Sequence, residues 1–406
     1  MNLASKTVVP PMARLLVVLA LIAAACGSNG DSSAPATTGP SALETTTTSP
    51  PVPTTRIGGI EVPSIVPPLD LSRADVEPGD VVFDTFDGGS IPLDQADAEL
   101  IVRLRDAIPP LNAPVYGEHG EGDWLAPDDL VLGLELEDEA FAYPVKILNF
   151  HEIVNDEIGG VPVLISYCPL CRSGVVYDRR LNGATLTFGN TSALYENDLV
   201  MYDHQTGSYW WQVAGRAIVG AHTGSILDPL PSITTTWGGW LALHPATLVL
   251  TRDTGFSIPY ERDPFGEYPA AVDAGAFPFP VSAAADDARL PASALVMAVE
   301  VDDIVRAYPL DGQGTRIGLD TTSDSPVVVL LDGAVGGAYL PVLDGATIDL
   351  TITDGVIADE TGTVWDVAGR AISGPHQGRR LQAIPSRTSF WFAIVAAFPE
   401  VVVIGG

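Results

Sequence analysis

The sequence predicts a mainly β protein of the α+β kind, made of two homologous β-rich halves from an internal duplication, with a few short helices. Three observations carry this reading. Short β-branched runs bounded by Gly, Pro and Asp dominate the chain after Ile57. Helix signals are few and each covers about two turns. The stretch LVLGLELEDEAFAYP, from Leu130 to Pro144, returns as LVMAVEVDDIVRAYP from Leu295 to Pro309.

Taken in order, the strand runs include Val161 to Tyr167, Gly174 to Asp178, Ala184 to Phe188, Asp198 to Tyr202 and Val327 to Leu331. Pro144 in a first-turn position, followed by Val145, Ile147, Leu148 and Phe150, predicts a helix of two turns ending near His151. Thr236 to Leu243 predicts another. The repeat continues beyond its first block. The segment with Trp211 and Val213 to Ile218 returns around Trp365 and Val367 to Ile372, and each copy ends in a Trp-containing amphipathic stretch, a proline and a terminal strand.

Composition bounds the class. With 46% hydrophobic and 17% charged positions the chain is globular and can bury a core. Acids number 51 against 20 basic residues, a formal charge of −31. Such a polyanion repels phosphate backbones and anionic headgroups, so neither nucleic acid nor a polybasic membrane patch is an expected partner. Lys6 and Arg14 precede the apolar run Leu15 to Ile22, which is too short to span a bilayer and ends in Ala23, Ala24 and Ala25 before Cys26. This resembles a bacterial lipoprotein signal. The resemblance implies cleavage after residue 25, lipidation of Cys26, and anchoring to the outer face of the cell membrane. Residues 26–56 are rich in Ser, Thr and Pro and read as a disordered tether. The halves then occupy residues 57–255, with the Cys-Pro-Leu-Cys segment, and 256–406, a degenerate copy.

The repeat serves as an internal control, because a residue needed only for folding has reason to occur in both copies. Aligning Tyr143-Pro144 with Tyr308-Pro309, and Pro162 with Pro326, places Cys168 opposite Asp332 and Cys171 opposite Val335. Soft and titratable side chains concentrate in the first half. Cys168-Pro169-Leu170-Cys171 has the C-x2-C spacing that chelates one soft metal ion or closes a small reducible disulfide. A thioredoxin-like site needs a helix directly after the second thiol. Arg172 to Tyr177 reads instead as a turn and a strand, which favours a metal knuckle. One knuckle supplies two ligands, so others must come from elsewhere. His151 is the first candidate, Met201 and His204 the next, and the ion is copper, zinc or iron according to how imidazole and thioether complete the set. Glu152 and Asp203 are the carboxylates placed for a catalytic role.

The run Tyr143 to Asp156, then Tyr167-Cys-Pro-Leu-Cys171, Asp198 to Asp203, and Trp211 with Gly215-Arg216-Ala217, resembles the secreted bacterial and archaeal family catalogued as domain of unknown function 3179. The resemblance runs from about residue 108 to the C-terminus. It implies a histidine like His151, the Cys-Pro-x-Cys turn and a Met-Tyr-Asp strand, here Met201 to Asp203, while the family's usual glycine after the second cysteine is Arg172. It brings no settled activity.

Several chemistries are excluded. His151-Glu152 lacks the second histidine of a zinc-protease helix, since Asn155 stands there. No G-x-S-x-G elbow and no phosphate loop occurs, so no nucleotide cofactor is expected. The reading is an extracytoplasmic lipoprotein with a Cys168, Cys171 and His151 centre for metal delivery or metal-dependent redox chemistry. A thiol-disulfide protein cycling the two cysteines, and a surface scaffold or binding module without chemistry, are the alternatives. Whether it is an enzyme, and which protein or small molecule it meets, stay open at this point.

Overall fold

In the computed structural model, which describes residues 53–404 apart from 58–59, 283–285, 311–313 and 321–325, the β-branched runs pair into antiparallel sheets joined by short helices. The expected signal segment, the lipidated Cys26 and nearly all of the 26–56 tether lie outside the described residues. No helix among the described residues is long and apolar enough to cross a membrane.

The largest sheet has nine strands and draws on both halves. Ile153–Ile158, Val161–Cys168 and Ser173–Asp178 form an antiparallel meander. Its two longest apolar runs are buried on both faces, which is why they read as near-continuous hydrophobic stretches rather than alternating ones. Ser173–Asp178 then meets Ser386–Phe390 through the pairing Gly174↔Thr388, and Ser386–Phe390 runs along Leu295–Val301. Gly174 also leaves room for a third neighbour: a Cβ there would lie 2.4 Å from Thr234 Oγ1 on strand Ser232–Thr236. The expected halves, 57–255 and 256–406, are thus knitted through one sheet. Tyr260, Phe265, Tyr268 and Val272, all beyond residue 255, pack into the apolar clusters around the first half's meander.

Helices Val145–His151 and Trp237–Leu243 form where predicted, and Trp391–Ala397 is the helix of the last amphipathic stretch. Thr236 caps the second of these, its Oγ1 accepting from Gly239 N at 3.2 Å. The run Ala184 to Phe188 is not one strand. Ala184–Thr185 turns back on Arg180–Leu181, and Phe188–Tyr195 starts a separate sheet, because Leu186 N and Thr187 N are drawn to Arg179 O and Gln205 Oε1 instead of to a common neighbour.

At positions that the sequence repeat pairs, the structure repeats contacts. Trp210 Nε1 donates to Asp203 Oδ2 at 3.0 Å, and Trp365 Nε1 to Asp359 Oδ2 at 3.1 Å. The partner of Trp365 is therefore Trp210 and not Trp211, as strand register also requires: Trp210 pairs with Ala217 and Trp365 with Ala371. Tyr177 and Tyr339 both donate to the backbone shortly before a glycine, Tyr177 to Gln212 O at 2.7 Å with Val213 O at 3.3 Å, and Tyr339 to Val367 O at 3.0 Å. Those glycines, Gly215 (φ 65°) and Gly369 (φ 69°), have left-handed backbone, and a Cβ on either would enter the tyrosine ring at 2.5 and 2.7 Å. Gly215→Ala and Gly369→Ala should each destabilise the fold by about 2–4 kcal/mol, combining left-handed strain with overpacking, as read from the midpoint of urea unfolding.

Candidate metal centre

The Val161–Cys168 and Ser173–Asp178 strands close their hairpin at the pair Cys168↔Ser173, so Pro169 to Arg172 form the turn. Arg172 takes a left-handed conformation, φ 46°, which explains why a glycine suits this position. The guanidinium lies 5.5 Å from the centroid of the Phe390 ring. Backbone from the far half fixes the turn: Phe390 N donates to Cys171 O at 2.8 Å, and Ser389 Oγ donates to the same oxygen at 3.1 Å. The corresponding hairpin of the second half closes at Asp332↔Val335 with only Gly333 and Ala334 between. Cys168 therefore does stand opposite Asp332, but Ser173, not Cys171, is the residue opposite Val335. Cys171 belongs to two extra turn residues that the second half lacks.

Asp198 completes the centre. It begins the Asp198–Asp203 strand and is fully buried. The two sulfurs and one Asp198 carboxylate oxygen all lie within 4.8 Å of one another. Cys171 Sγ donates to Asp198 Oδ1 at 2.8 Å, and Val213 N donates to Oδ2 at 2.8 Å. Ser173 Oγ sits 3.2 Å from Cys171 Sγ and bonds Gln212 Oε1, while Gln212 Nε2 donates to Ser166 Oγ at 2.9 Å. These buried polar groups hold the donors in place behind an apolar cluster that contains Leu199, Met201, Trp210 and Phe392.

Burial dominates the electrostatics. It pushes both thiols above their ordinary pKa, Cys171 well above, and the neighbouring Asp198 charge adds to the effect. Burial also lifts Asp198 to about 6, against the pull of the bonds from Cys171 and Val213. Glu152 lies near enough to feel Asp198. Desolvation first, and the Asp198 and Asp84 charges after it, raise its pKa to about 8, although Asn190 Nδ2 donates to its Oε2 at 2.6 Å. At neutral pH the two thiols and Glu152 thus keep their protons while Asp198 is largely ionised. A metal cation would offset that buried charge and favour loss of the thiol protons.

The remaining expected site residues are placed as follows. His151 is buried at the end of its helix and does not join the thiol group; its ring nitrogens face other partners, Nδ1 at 2.8 Å from Pro109 O and Nε2 at 2.6 Å from Tyr260 Oη. His204 is turned to Tyr202, its Nε2 3.3 Å from the phenol oxygen, and no histidine among the described residues joins the thiol group. Met201 does share the apolar cluster of the two cysteines. Asp203 is spent on the turn that follows it, accepting from Thr206 N at 2.6 Å and from Trp210, and its repeat partner Asp359 does the same with Thr361 and Trp365. That shared duty assigns Asp203 to folding. Glu152 is the partly buried left-handed residue (φ 58°) that ends the helix carrying His151, its N–H bonding Leu148 O as helix ends commonly do.

Asp198, Ser173 and Gln212 escaped the sequence reading. Asp198 follows Glu196-Asn197, both with positive φ, so it reads as the last polar residue of a turn; only its absence from the solvent would have marked it.

The architecture is that of a mainly β protein with a buried thiol and carboxylate centre. The chain matches the family described as "Protein of unknown function (DUF3179)" over residues 105–401 and belongs to it. No curated protein and no solved structure matches it.

The raised carboxyl of Glu152 has a pH signature. Its pKa is near 4.5 when unfolded and about 8 when folded, so the folded state holds the extra proton between these values. The contribution of Glu152 to the stability of metal-free protein should therefore fall as pH rises from about 4.5 to about 8 and level off above, against an opposite contribution from His151 and His204, whose lowered values add stability between about 4 and 6.5. Glu152→Gln should remove most of that decline in a series of chemical denaturation curves.

Proposed function

We propose that the protein is an extracytoplasmic lipoprotein, anchored through Cys26, that binds one transition-metal ion through Cys168, Cys171 and Asp198 for metal delivery or for redox chemistry at the metal. The observation that supports this best is the convergence of two thiols and a carboxylate within 4.8 Å in a space closed to water. An isolated carboxylate there costs several kcal/mol. Retaining it beside two thiols makes sense when a cation is to be held.

The donor set favours some ions over others. Two thiolates are soft, the carboxylate is hard, and the imidazole expected from His151 is absent. Zinc or ferrous iron suits such a mixed set better than cuprous copper, which prefers sulfur and nitrogen donors. Three protein ligands leave a fourth position, which in this enclosed space suits a single trapped water or a small ligand, the pattern of a working site rather than a four-ligand structural one. The polyanionic surface is consistent with a partner that is neither nucleic acid nor an anionic headgroup.

A thiol-disulfide cycle is the second reading, and one contact favours it: Asp198 is placed to take the proton of Cys171. The raised thiol pKa values weigh against it, because an attacking thiol works best as a thiolate.

Protein isolated under reducing conditions should carry about one equivalent of metal by elemental analysis. Cys168→Ser and Asp198→Asn should each weaken binding at least about a hundredfold, beyond the loss usual for an outer-shell change, in competition with a chromogenic chelator. Metal-free protein with both thiols titratable, unable to take up zinc or iron, would reject the reading.

A further inference from the structure

His151, excluded from the thiol centre, heads a second constellation. Its Nδ1 faces the Pro109 carbonyl oxygen at 2.8 Å, and a carbonyl carries no hydrogen, so Nδ1 bears the ring proton. Nε2 is then an acceptor, and Tyr260 Oη, 2.6 Å away, is its donor. With its hydrogen committed, Tyr260 accepts from Thr254 Oγ1, also at 2.6 Å. The direction of the whole chain follows: Thr254 hydroxyl to Tyr260 hydroxyl to His151 Nε2. Burial holds the imidazole neutral at physiological pH, as this direction requires.

Thr254 lines a pocket of about 250 Å³ together with Asp253, Phe256, Leu250 and the segment 110–115. Asn112 belongs to that segment. Its side-chain oxygen accepts from Asn155 Nδ2 at 2.9 Å, which fixes the amide and leaves its N–H groups as donors. A hydroxyl linked to a base, a base oriented by a carbonyl, an amide donor and a small recess lined by both polar and apolar groups are the parts an acyl-transfer site needs.

We propose that this pocket is such a site, with Thr254 as nucleophile, Tyr260 and His151 as its proton relay, Asn112 as donor to the carbonyl oxygen, and a small ester with a short acyl group as substrate. Thr254 Oγ1 attacks the acyl carbon. Its proton passes to Tyr260 Oη while the Tyr260 proton passes to His151 Nε2. The bond from the acyl carbon to the alcohol oxygen breaks, and that oxygen takes the proton back along the same relay. Water then adds to the threonine ester by the same transfers and releases the acid, so no oxidant or reductant enters. The site is separate from the thiol centre and does not depend on metal binding there.

The test uses the full chain and p-nitrophenyl acetate, with peptide mapping of the acetylated residue. Nitrophenol release above the buffer rate, abolished by Thr254→Ala and restored by Thr254→Ser, is expected, with or without an acetyl ester trapped on Thr254. Tyr260→Phe keeps the ring and removes the proton path. It should lower kcat roughly a hundredfold, the scale of general base catalysis, with KM unchanged, whereas a merely structural role would shift KM or unfold the protein. Release at the buffer rate, acetylation confined to Cys168, Cys171 or Lys146, or full activity in Thr254→Ala or Tyr260→Phe would overturn the proposal.

Discussion

The contact between Cys171 and Asp198 constrains the rest of the molecule. A thiol and a carboxylate can meet in an apolar interior only if every other bond they need is supplied by protein. That demand explains the neighbourhood: Val213 N on one carboxylate oxygen, Ser173 and Gln212 behind the sulfur, and Ser166 behind Gln212. The Cys-Pro-Leu-Cys turn is itself held by the Phe390 amide and the Ser389 hydroxyl, nearly two hundred and twenty residues onward. The second half is a structural part of the first half's site.

Comparing the halves separates duties. Where both hold the same side chain in the same bonds, as at Asp203 and Asp359 or Tyr177 and Tyr339, the residue serves the fold. Where one hairpin closes with Gly333-Ala334 and its counterpart inserts two more residues, the insertion brings Cys171 to Asp198. The longer hairpin is what sets Cys171 beside Asp198.

Much of the fold was legible because strand propensity and burial agree along Val161–Cys168 and Ser173–Asp178, and because a proline followed by Val145, Ile147 and Leu148 permits few alternatives to a short helix. The cysteines were legible from spacing alone. Their third partner was not. Asp198 is separated from Cys171 by 27 positions and preceded by turn residues, so nothing local distinguishes it from a solvated aspartate. His151 misled for the converse reason: a helix-ending histidine near the knuckle in sequence is the obvious ligand, yet Pro109 and Tyr260, far from it along the chain, claim both ring nitrogens. The linkage of the halves through Gly174 and Thr388 rests on a single register pair and leaves no trace in periodicity.

The most direct test of the proposed metal centre is X-ray absorption at the edge of any zinc or iron that copurifies with the protein. The account predicts two sulfur neighbours, at about 2.3 Å for zinc, with oxygen completing the shell and no imidazole scattering. A shell of nitrogen and oxygen alone would contradict it.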